Sequence, residues 1–208
     1  MRIKREGGVW NEPNKQMGDC AQLTQKTTNL SVRKGAFVVE LNLLEDERGA
    51  FTRTFCKDEF KKINHDKEFV QFNHSYNIKA GTLRGMHYQE YPHSEIKLIR
   101  CIAGSVYDVI VDIREKSETF LQWFAIELSA SNKKMVYVPK GFAHGFLTLE
   151  DNTELLYHHT NFYTPSSEKG IRFDDEFLKI NWKNEIKCIS DKDKNYSLLY
   201  TNFKGIKI

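Results

Sequence analysis

The chain has 208 residues, of which 40% are hydrophobic and 28% charged, the size and composition of one globular domain. Its 31 Lys and Arg against 28 Asp and Glu leave a net charge of +3, too small to favour binding to nucleic acid or to an anionic membrane. No apolar run approaches the roughly 20 residues that span a bilayer, and the polar N-terminus has no signal core. We therefore expect a soluble cytoplasmic protein without a nucleic-acid or membrane partner.

Residues 1–34 form a polar stretch rich in Gln, Asn, Thr and Lys, with scattered apolar residues such as Trp10 and Leu23. No apolar face repeats along it, so it is predicted to be an N-terminal arm, either a strand leader exchanged in a dimer or a disordered leader. Residues 35–208 then make up the folded domain. The four cysteines are scattered without a C-x-x-C pair, so neither a zinc knuckle nor a disulfide framework is indicated.

Beyond the arm, short apolar and β-branched runs of strand length follow one another. They cover residues 36–41, 96–102, 106–113, 123–128 and 135–138. Turn residues between them, as in Ala103-Gly104-Ser105, favour an antiparallel meander or sandwich. Helical patterns are short and occur only at 57–63 and 175–178. The sequence thus predicts an all-β fold, an antiparallel β-sandwich with a few short helices.

Alternation along residues 106–113 separates two faces of the predicted strand. Tyr107, Val109, Val111 and Ile113 lie on one face. The other face carries the carboxylates of Asp108 and Asp112. We expect one face of this strand to be dry and the other to carry the two carboxylates.

Polar and titratable side chains crowd the region from Phe69 to Lys97. They are Gln71, Asn73, His74, Ser75, Arg84, His87, Tyr88, Gln89, His93 and Lys97. Such groups seldom share a packed strand, which indicates a polar site between strands. The alternative is a solvated sheet face with hydrogen-bonded histidines.

Two chemistries suit these residue types. A metal centre would join His87, His93 and His144 across a barrel, but His87 is followed by Tyr88 and Gln89 where a second ligand is expected, so the spacing does not favour it. Acid–base catalysis without a metal needs a His to take a proton, a Tyr to give one and a cation to hold the negative charge. All of these are present, and spacing alone does not choose the reaction.

Eight motifs, in order along the chain, resemble the dTDP-4-dehydrorhamnose 3,5-epimerase family. They are residues 46–51, 69–75, 83–89, 97–100, 108–109, 111–114, 139–146 and 190–193, within a resemblance from about 33 to 200. The resemblance implies a cupin-type jelly roll, a homodimer and no metal or organic cofactor. It also implies a nucleotide-sugar substrate, a 4-keto-6-deoxyhexose inverted at C3 and C5.

The same resemblance implies the catalytic set. His87 matches the base that removes the C3 or C5 proton, and Asp193 matches the carboxylate that orients it. Tyr157 matches the acid on the opposite face, and Lys97 the cation near the C4 oxygen.

Substrate binding is implied at further positions. Arg48 and Arg84 match residues that hold the diphosphate and the sugar, for which the planar guanidinium fork is suited. The other matching positions are Gln71, Asn73, His144, Glu168 and Lys192. A solvated Arg48 and a merely structural His144 are the alternatives.

Three positions depart from the family's pattern. Arg53 stands where a Glu usually contacts the nucleotide, so another nucleotide is an open alternative. Residues 157–160 read Tyr-His-His-Thr in place of Tyr-Lys-x-Thr. Glu95 replaces a usual Gln, and strand alternation predicts that it pairs with Lys97.

The alternatives to a 3,5-epimerase are of several classes. Proton removal beside the ketone also begins 3-epimerisation and 3,4-ketoisomerisation. Because cupin folds host many functions, a non-catalytic sugar-nucleotide binding module and a metal-dependent oxygenase complete the set.

Overall fold

The computed structural model describes residues 21–24 and 35–208, and the rest of the predicted arm lies outside the described residues. Strands are, in chain order, β1 (Ala21–Thr24), β2 (Phe37–Leu41), β3 (Leu44–Asp46), β4 (Gly49–Phe51), β5 (Gln71–Asn77), β6 (Thr82–Gln89), β7 (Lys97–Ala103), β8 (Ser105–Asp112), β9 (Trp123–Ser129), β10 (Met135–Val138), β11 (Phe142–Thr148), β12 (Thr153–His159), β13 (Glu168–Gly170) and β14 (Cys188–Ile189). The helices are α1 (Lys57–Phe60) and α2 (Asp191–Lys194), with 3₁₀ turns at Lys61–Ile63 and Pro165–Ser167.

Two antiparallel sheets form the sandwich. The first sheet has the order β1-β2-β10-β7-β12-β5, and the second has the order β13-β6-β11-β8-β9. Strand β14 adds to β6 in parallel, and β3 and β4 form a separate hairpin. This architecture confirms the prediction of an all-β, cupin-type jelly roll, and all five predicted strand runs lie within one residue of a strand at both ends.

The predicted helix at 175–178 is wrong, because this segment makes a single hydrogen-bonded turn. The Asp175 carboxylate accepts the backbone N–H groups of Phe177 and Leu199, at 2.9 and 2.6 Å. Lys179 then has a φ of 47°, far from the value of a right-handed helix, so the turn does not extend into one. The predicted helix at 57–63 is present as α1 and the 3₁₀ turn that follows it.

The core between the two sheets consists of apolar side chains from six strands, β7 to β12. It includes Ile99, Cys101, Val106, Ile110, Leu128, Val136, Val138, Phe142, Phe146 and Leu155. Both outer sheet faces are also covered. Phe60 of α1 packs on the first sheet, and Ile171 and Leu178 of the C-terminal segments pack on the second.

Strand β8 is buried on both faces, which corrects the expectation that only one of them is dry. Val109 and Val111 pack under the C-terminal segments, while Val106 and Ile110 lie in the sandwich core. The two carboxylates of β8 are also buried. The partners of one of them, Asp112, are Arg114, Ser117 and Thr119.

Candidate active site

A cavity of about 300 Å³ opens between the two sheets of the sandwich. Side chains of β5, β6, β7, β11 and β12 line it, together with residues before β7 and around β13. They are Asn73, His74, Ser75, Arg84, His87, Tyr88, Gln89, Glu95, Lys97, His144, Phe146, Tyr157, His159, Tyr163 and Glu168. The sequence placed much of this set in one polar region, and the sandwich brings that region together with β11 and β12.

His87 and Asp193 form a pair across 106 residues of sequence. His87 Nε2 lies 2.7 Å from Asp193 Oδ1, and Asp193 is 3% exposed. Burial raises the pKa of Asp193, but the hydrogen bond and charge of His87, together with the hydrogen bonds of Gly85 and Ser190, outweigh it, and the pKa of this carboxyl lies below its ordinary value. An ionised carboxylate only accepts, so Nε2 of His87 carries the ring proton and Nδ1 is the basic nitrogen.

Local backbone structure fixes this pair. Ser190 caps α2 and accepts the backbone N–H of Asp193, while the N–H of Gly85 donates to the other Asp193 oxygen at 3.2 Å. Gly85 has a φ of +130°, and a Cβ there would lie 2.5 Å from the Cα of Gly145 on β11. Only glycine fits this close approach of β6 and β11.

His144 lies beside His87 in the register of β6 and β11, and the pairing shifts just beyond it. Its Nε2 is 2.8 Å from Asp108 Oδ2, and both side chains are buried. Burial lowers the pKa of His144, and the nearby Asp108 offsets only part of this effect. His144 is therefore a neutral donor whose ring forms part of the cavity wall.

Tyr157 faces the same cavity from the first sheet, opposite the sheet that carries His87. Its hydroxyl lies 3.2 Å from Ser75 Oγ. Burial raises the pKa of Tyr157 well above its ordinary value, and the hydrogen bond to Ser75 only partly opposes this. The phenol is thus protonated at neutral pH and available as a donor.

Lys97 is 8% exposed at the start of β7, and its Nζ lies 3.4 Å from Glu95 Oε1. The predicted pair of Glu95 and Lys97 is therefore present. The second oxygen of Glu95 lies 2.8 Å from His159 Nδ1. Burial raises the pKa of Glu95, but Lys97 and His159 together hold it below the ordinary value.

The two histidines after Tyr157 point in opposite directions, because side chains alternate along β12. His158 contacts the Leu98 carbonyl at 3.1 Å and packs its ring on Phe72, outside the cavity lining. His159 lies on the cavity side, with its ring stacked 6.1 Å from that of Tyr157.

The predicted binding residues divide into lining and supporting groups. Asn73, Arg84 and Glu168 line the cavity, whereas Gln71 and Lys192 do not. Gln71 donates to Asn73 at 3.1 Å, and Lys192 donates to Glu168 at 2.5 Å.

Arg48 lies away from this cavity on the β3–β4 hairpin. Its side chain is 84% exposed and paired with Asp46. The hairpin joins neither sheet of its own chain, so the structure does not bring Arg48 to the cavity lining. Arg53, two residues after the hairpin, pairs with Glu59 at 3.1 Å.

The three histidines of the metal alternative do not meet, since His93 bonds Thr164 at 3.1 Å outside the cavity lining. Within residues 21–24 and 35–208, no group of three or more His, Cys, Asp or Glu side chains is arranged to hold a metal ion. In the same part of the chain no helix has the length and apolar character to cross a membrane.

Sequence reasoning missed Tyr163 and the contact between Glu95 and His159, and it placed Ser75 in the polar cluster without giving it a role. Strand alternation carried the signal for two of them, because Ser75 lies two residues after Asn73 and His159 two after Tyr157. The position of Tyr163, in the loop after β12, has no such period.

A jelly roll whose cavity joins a carboxylate-held imidazole, a buried phenol and a lysine defines a cupin-type protein equipped for proton transfer. A sequence model of dTDP-4-dehydrorhamnose 3,5-epimerases matches residues 31–201. The chain belongs to the dTDP-4-dehydrorhamnose 3,5-epimerase family, whose members are isomerases. The family predicted from the eight motifs is thereby confirmed.

Individual relatives agree with this assignment. The dTDP-4-dehydrorhamnose 3,5-epimerase of Shigella flexneri is 44% identical over 159 residues, 76% of this chain and 87% of its own. The crystal structure of the Bacillus anthracis enzyme, with TDP and PPi bound, matches with a TM-score of 0.79 and 39% identity, covering 86% of this chain and 100% of that one. The Legionella pneumophila enzyme in complex with dTDP-4-keto-L-rhamnose matches with a TM-score of 0.80 and 33% identity, covering 90% and 98%.

Proposed function

We propose that this protein epimerises a nucleotide-linked 4-keto-6-deoxyhexose at C3 and C5, converting dTDP-4-dehydro-6-deoxyglucose to dTDP-4-dehydrorhamnose. One observation carries the proposal. His87, with a free basic nitrogen, and Tyr157, with a protonated hydroxyl, line one cavity from facing sheets, and Lys97 lines it with them. Inversion of a carbon centre needs a base and an acid on opposite faces of the substrate.

The chemistry follows from these three groups. The C4 ketone acidifies the C–H bonds at C3 and C5, so His87 Nδ1 takes a proton and the electron pair moves onto the C4 oxygen. The ammonium of Lys97 stabilises the resulting enolate in a largely desolvated site. The Tyr157 hydroxyl then gives its proton to the carbon from the other face. His87 releases its proton to water and Tyr157 takes one up from water, which restores the site. Protons pass only between these side chains, the substrate and water, and Lys97 holds the enolate, so the proposal includes no metal and no organic cofactor.

Binding of the substrate is assigned to the rest of the cavity wall. Arg84, held by Asn77 at 2.7 Å, offers a guanidinium for the diphosphate. Asn73, His144 and Glu168 contact the sugar or the nucleotide, with Gln71 and Lys192 supporting them.

A homodimer completes the proposal and gives Arg48 its place. The β3–β4 hairpin carries Phe51 and Leu44, which are 70% and 47% exposed, next to Arg48. Exposed apolar side chains on a projecting hairpin fit a second copy of the chain, and Arg48 would then bind substrate in the partner's cavity. We further propose that the enzyme acts in the cytoplasm, the compartment predicted from its sequence.

Proton NMR of dTDP-4-keto-6-deoxyglucose incubated with the protein in deuterium oxide tests the function. Loss of both the C3 and C5 proton signals is the expected result. Loss at C3 alone would make the protein a 3-epimerase. Absence of exchange with this and other nucleotides, while the sugar nucleotide still binds, would replace the proposal with a binding module.

A further inference from the structure

A continuous series of hydrogen bonds, closed by an ion pair, runs along the cavity wall and ends at Lys97. It begins at the backbone N–H of Tyr163, which donates to Gln71 Oε1 at 2.9 Å. Gln71 Nε2 donates to Asn73 Oδ1 at 3.1 Å, and Asn73 Nδ2 lies 3.3 Å from His159 Nε2. The series therefore links the loop after β12 to two neighbouring strands of the first sheet.

The second half of the series is buried. His159 Nδ1 lies 2.8 Å from Glu95 Oε2, and Lys97 Nζ lies 3.4 Å from Glu95 Oε1. The side chains of His159, Glu95 and Lys97 are 10%, 8% and 11% exposed. Water therefore has little access to replace these contacts.

The direction of every bond in the series follows from its two ends. A backbone N–H only donates, so the amide of Gln71 must accept there and donate to Asn73. Asn73 contacts His159 through its NH₂ group, which only donates, so Nε2 of that ring is an acceptor. The remaining ring proton lies on Nδ1 and points at Glu95. At the other end Lys97 also only donates, so the Glu95 carboxylate receives one donor on each oxygen.

We propose that Glu95 and His159 are positioning residues that hold the Lys97 ammonium in place through this directed series of hydrogen bonds. The proposal rests on the proposed function, in which Lys97 acts on the C4 oxygen. A lysine has a flexible four-carbon stem, so the position of its charge is set by what it contacts. Glu95 supplies that contact, and His159 fixes the orientation of Glu95.

Glutamine is the sharpest replacement for Glu95, because it keeps the shape and removes one acceptor. Its single oxygen serves either Lys97 or His159, and its NH₂ group opposes a donor at the other. To relieve that conflict, His159 must move its proton to Nε2, which then opposes the NH₂ group of Asn73. If the amide groups of Asn73 and Gln71 then reversed in turn, the NH₂ group of Gln71 would face the backbone N–H of Tyr163, which only donates.

Nitrogen-15 NMR of histidine-labelled protein in mildly alkaline buffer tests the series without substrate. The signals of His159 are assigned by their loss in His159→Phe. We expect the Nδ1–H tautomer in the wild type and a gain of the Nε2–H tautomer in Glu95→Gln. An Nε2–H tautomer or an imidazolium in the wild type overturns the directed series.

Kinetics of C3 and C5 exchange test the role. Glu95→Gln and His159→Phe should each lower kcat about tenfold, because a charge misplaced by a fraction of an ångström loses much of its effect, with KM changed less than about twofold. In a Lys97→Met background neither change should lower kcat further, since both act through Lys97. His159→Phe keeps the ring packed on Tyr157, so loss of packing does not account for its effect.

Glu154→Gln is the matched control, because it alters another carboxylate–imidazole contact of 2.8 Å between β5 and β12, with His74. It should leave kcat near the wild-type value. Changes in Glu95 or His159 that lower only the melting temperature, or that lower kcat equally without Lys97, overturn the positioning role. If the wild type exchanges no protons with any nucleotide sugar, the proposed function fails, and the tautomer measurement still decides the series.

Discussion

At the scale of single residues, the environments of two cavity side chains leave one with a basic nitrogen and the other with a protonated hydroxyl. His87 has its proton directed to a buried carboxylate, which leaves Nδ1 basic, whereas Tyr157 is buried and keeps its proton. The sequence alone gives both residue types, but their roles depend on burial and on partners more than 30 residues away. These partners are Asp193 and Ser75.

His87→Asn should abolish proton exchange at both carbons, lowering kcat about a thousandfold, since general base catalysis contributes that order of rate. Asn can still donate to Asp193, so circular dichroism and the melting temperature should stay close to those of the wild type. Unchanged exchange at C3 and C5 in this variant would contradict the assignment of His87 as the base.

Tyr157→Phe should have a more selective effect. The variant keeps His87 and Lys97, so exchange at one centre should persist while inversion is impaired by about a hundredfold. Deuterium incorporation and product formation, followed in the same NMR sample, separate the two steps. Wild-type rates of both would require another acid in the cavity.

At the scale of elements, β6 carries His87, Arg84 and Gly85, the glycine at the close approach to β11. Gly85 and Gly145 let β6 and β11 approach closely, and the shift in their pairing lies next to His87 and His144. This close approach also brings the Gly85 N–H within reach of Asp193. The geometry of this strand pair thus helps to position the carboxylate of Asp193.

Gly85→Ala should lower the free energy of unfolding by about 3 kcal/mol and reduce kcat, because its Cβ meets backbone atoms that cannot move aside. Gly49→Ala is the control, since Gly49 has a similar φ of +127° and nothing within 4 Å of the added Cβ. Urea unfolding of both variants measures the difference. Equal losses would mean that the φ angle, and not the close approach, accounts for the effect at Gly85.

The strands of the fold could be predicted from the sequence, but one helix and the meeting of the polar groups could not. The runs that became β7, β8 and β10 were readable because packed strands concentrate β-branched and apolar residues. The false helix at 175–178 had a helical spacing, but the Asp175 side chain bonds to backbone groups and stops it after one turn. Which polar groups meet at the cavity depends on sheet order, and no local pattern encodes that.

At the scale of the whole molecule, several buried histidines make stability depend on pH. Burial lowers the pKa of His65 below the ordinary 6.5, and the same is true of His144. The unfolded chain takes up these protons more readily than the folded one. Their contribution to stability is therefore complete above about pH 6.5 and is lost as the pH falls towards the lower folded pKa.

His65→Phe should flatten this dependence. His65 stacks on Phe69 and contacts the Tyr137 hydroxyl at 3.1 Å, so a Phe ring fits the cluster at a cost of about 1 kcal/mol for the lost contact. Urea unfolding between about pH 6.5 and pH 5 should show a shallower loss of stability than in the wild type. The same slope in both proteins would exclude His65 as a source of the dependence.

The proposed homodimer is tested at the same scale. Light scattering should give twice the 24.4 kDa mass of the chain, and Phe51→Asp should shift the protein to the monomer by placing a charge on the exposed hairpin. Loss of the dimer should raise KM if Arg48 serves the partner's cavity. A wild-type protein that is monomeric at micromolar concentration would contradict the dimer.

The pairing of β14 with β6 has a consequence for how the enzyme is made. All strands of the two sandwich sheets up to β12 have emerged from the ribosome once the chain is exposed as far as His159. The carboxylate that contacts His87 belongs to Asp193 and emerges later. A nascent chain can therefore build most of its sheets while His87 still lacks its carboxylate partner. Catalytic competence should appear last, and a chain truncated before Ser190 should keep much of the β-structure without activity.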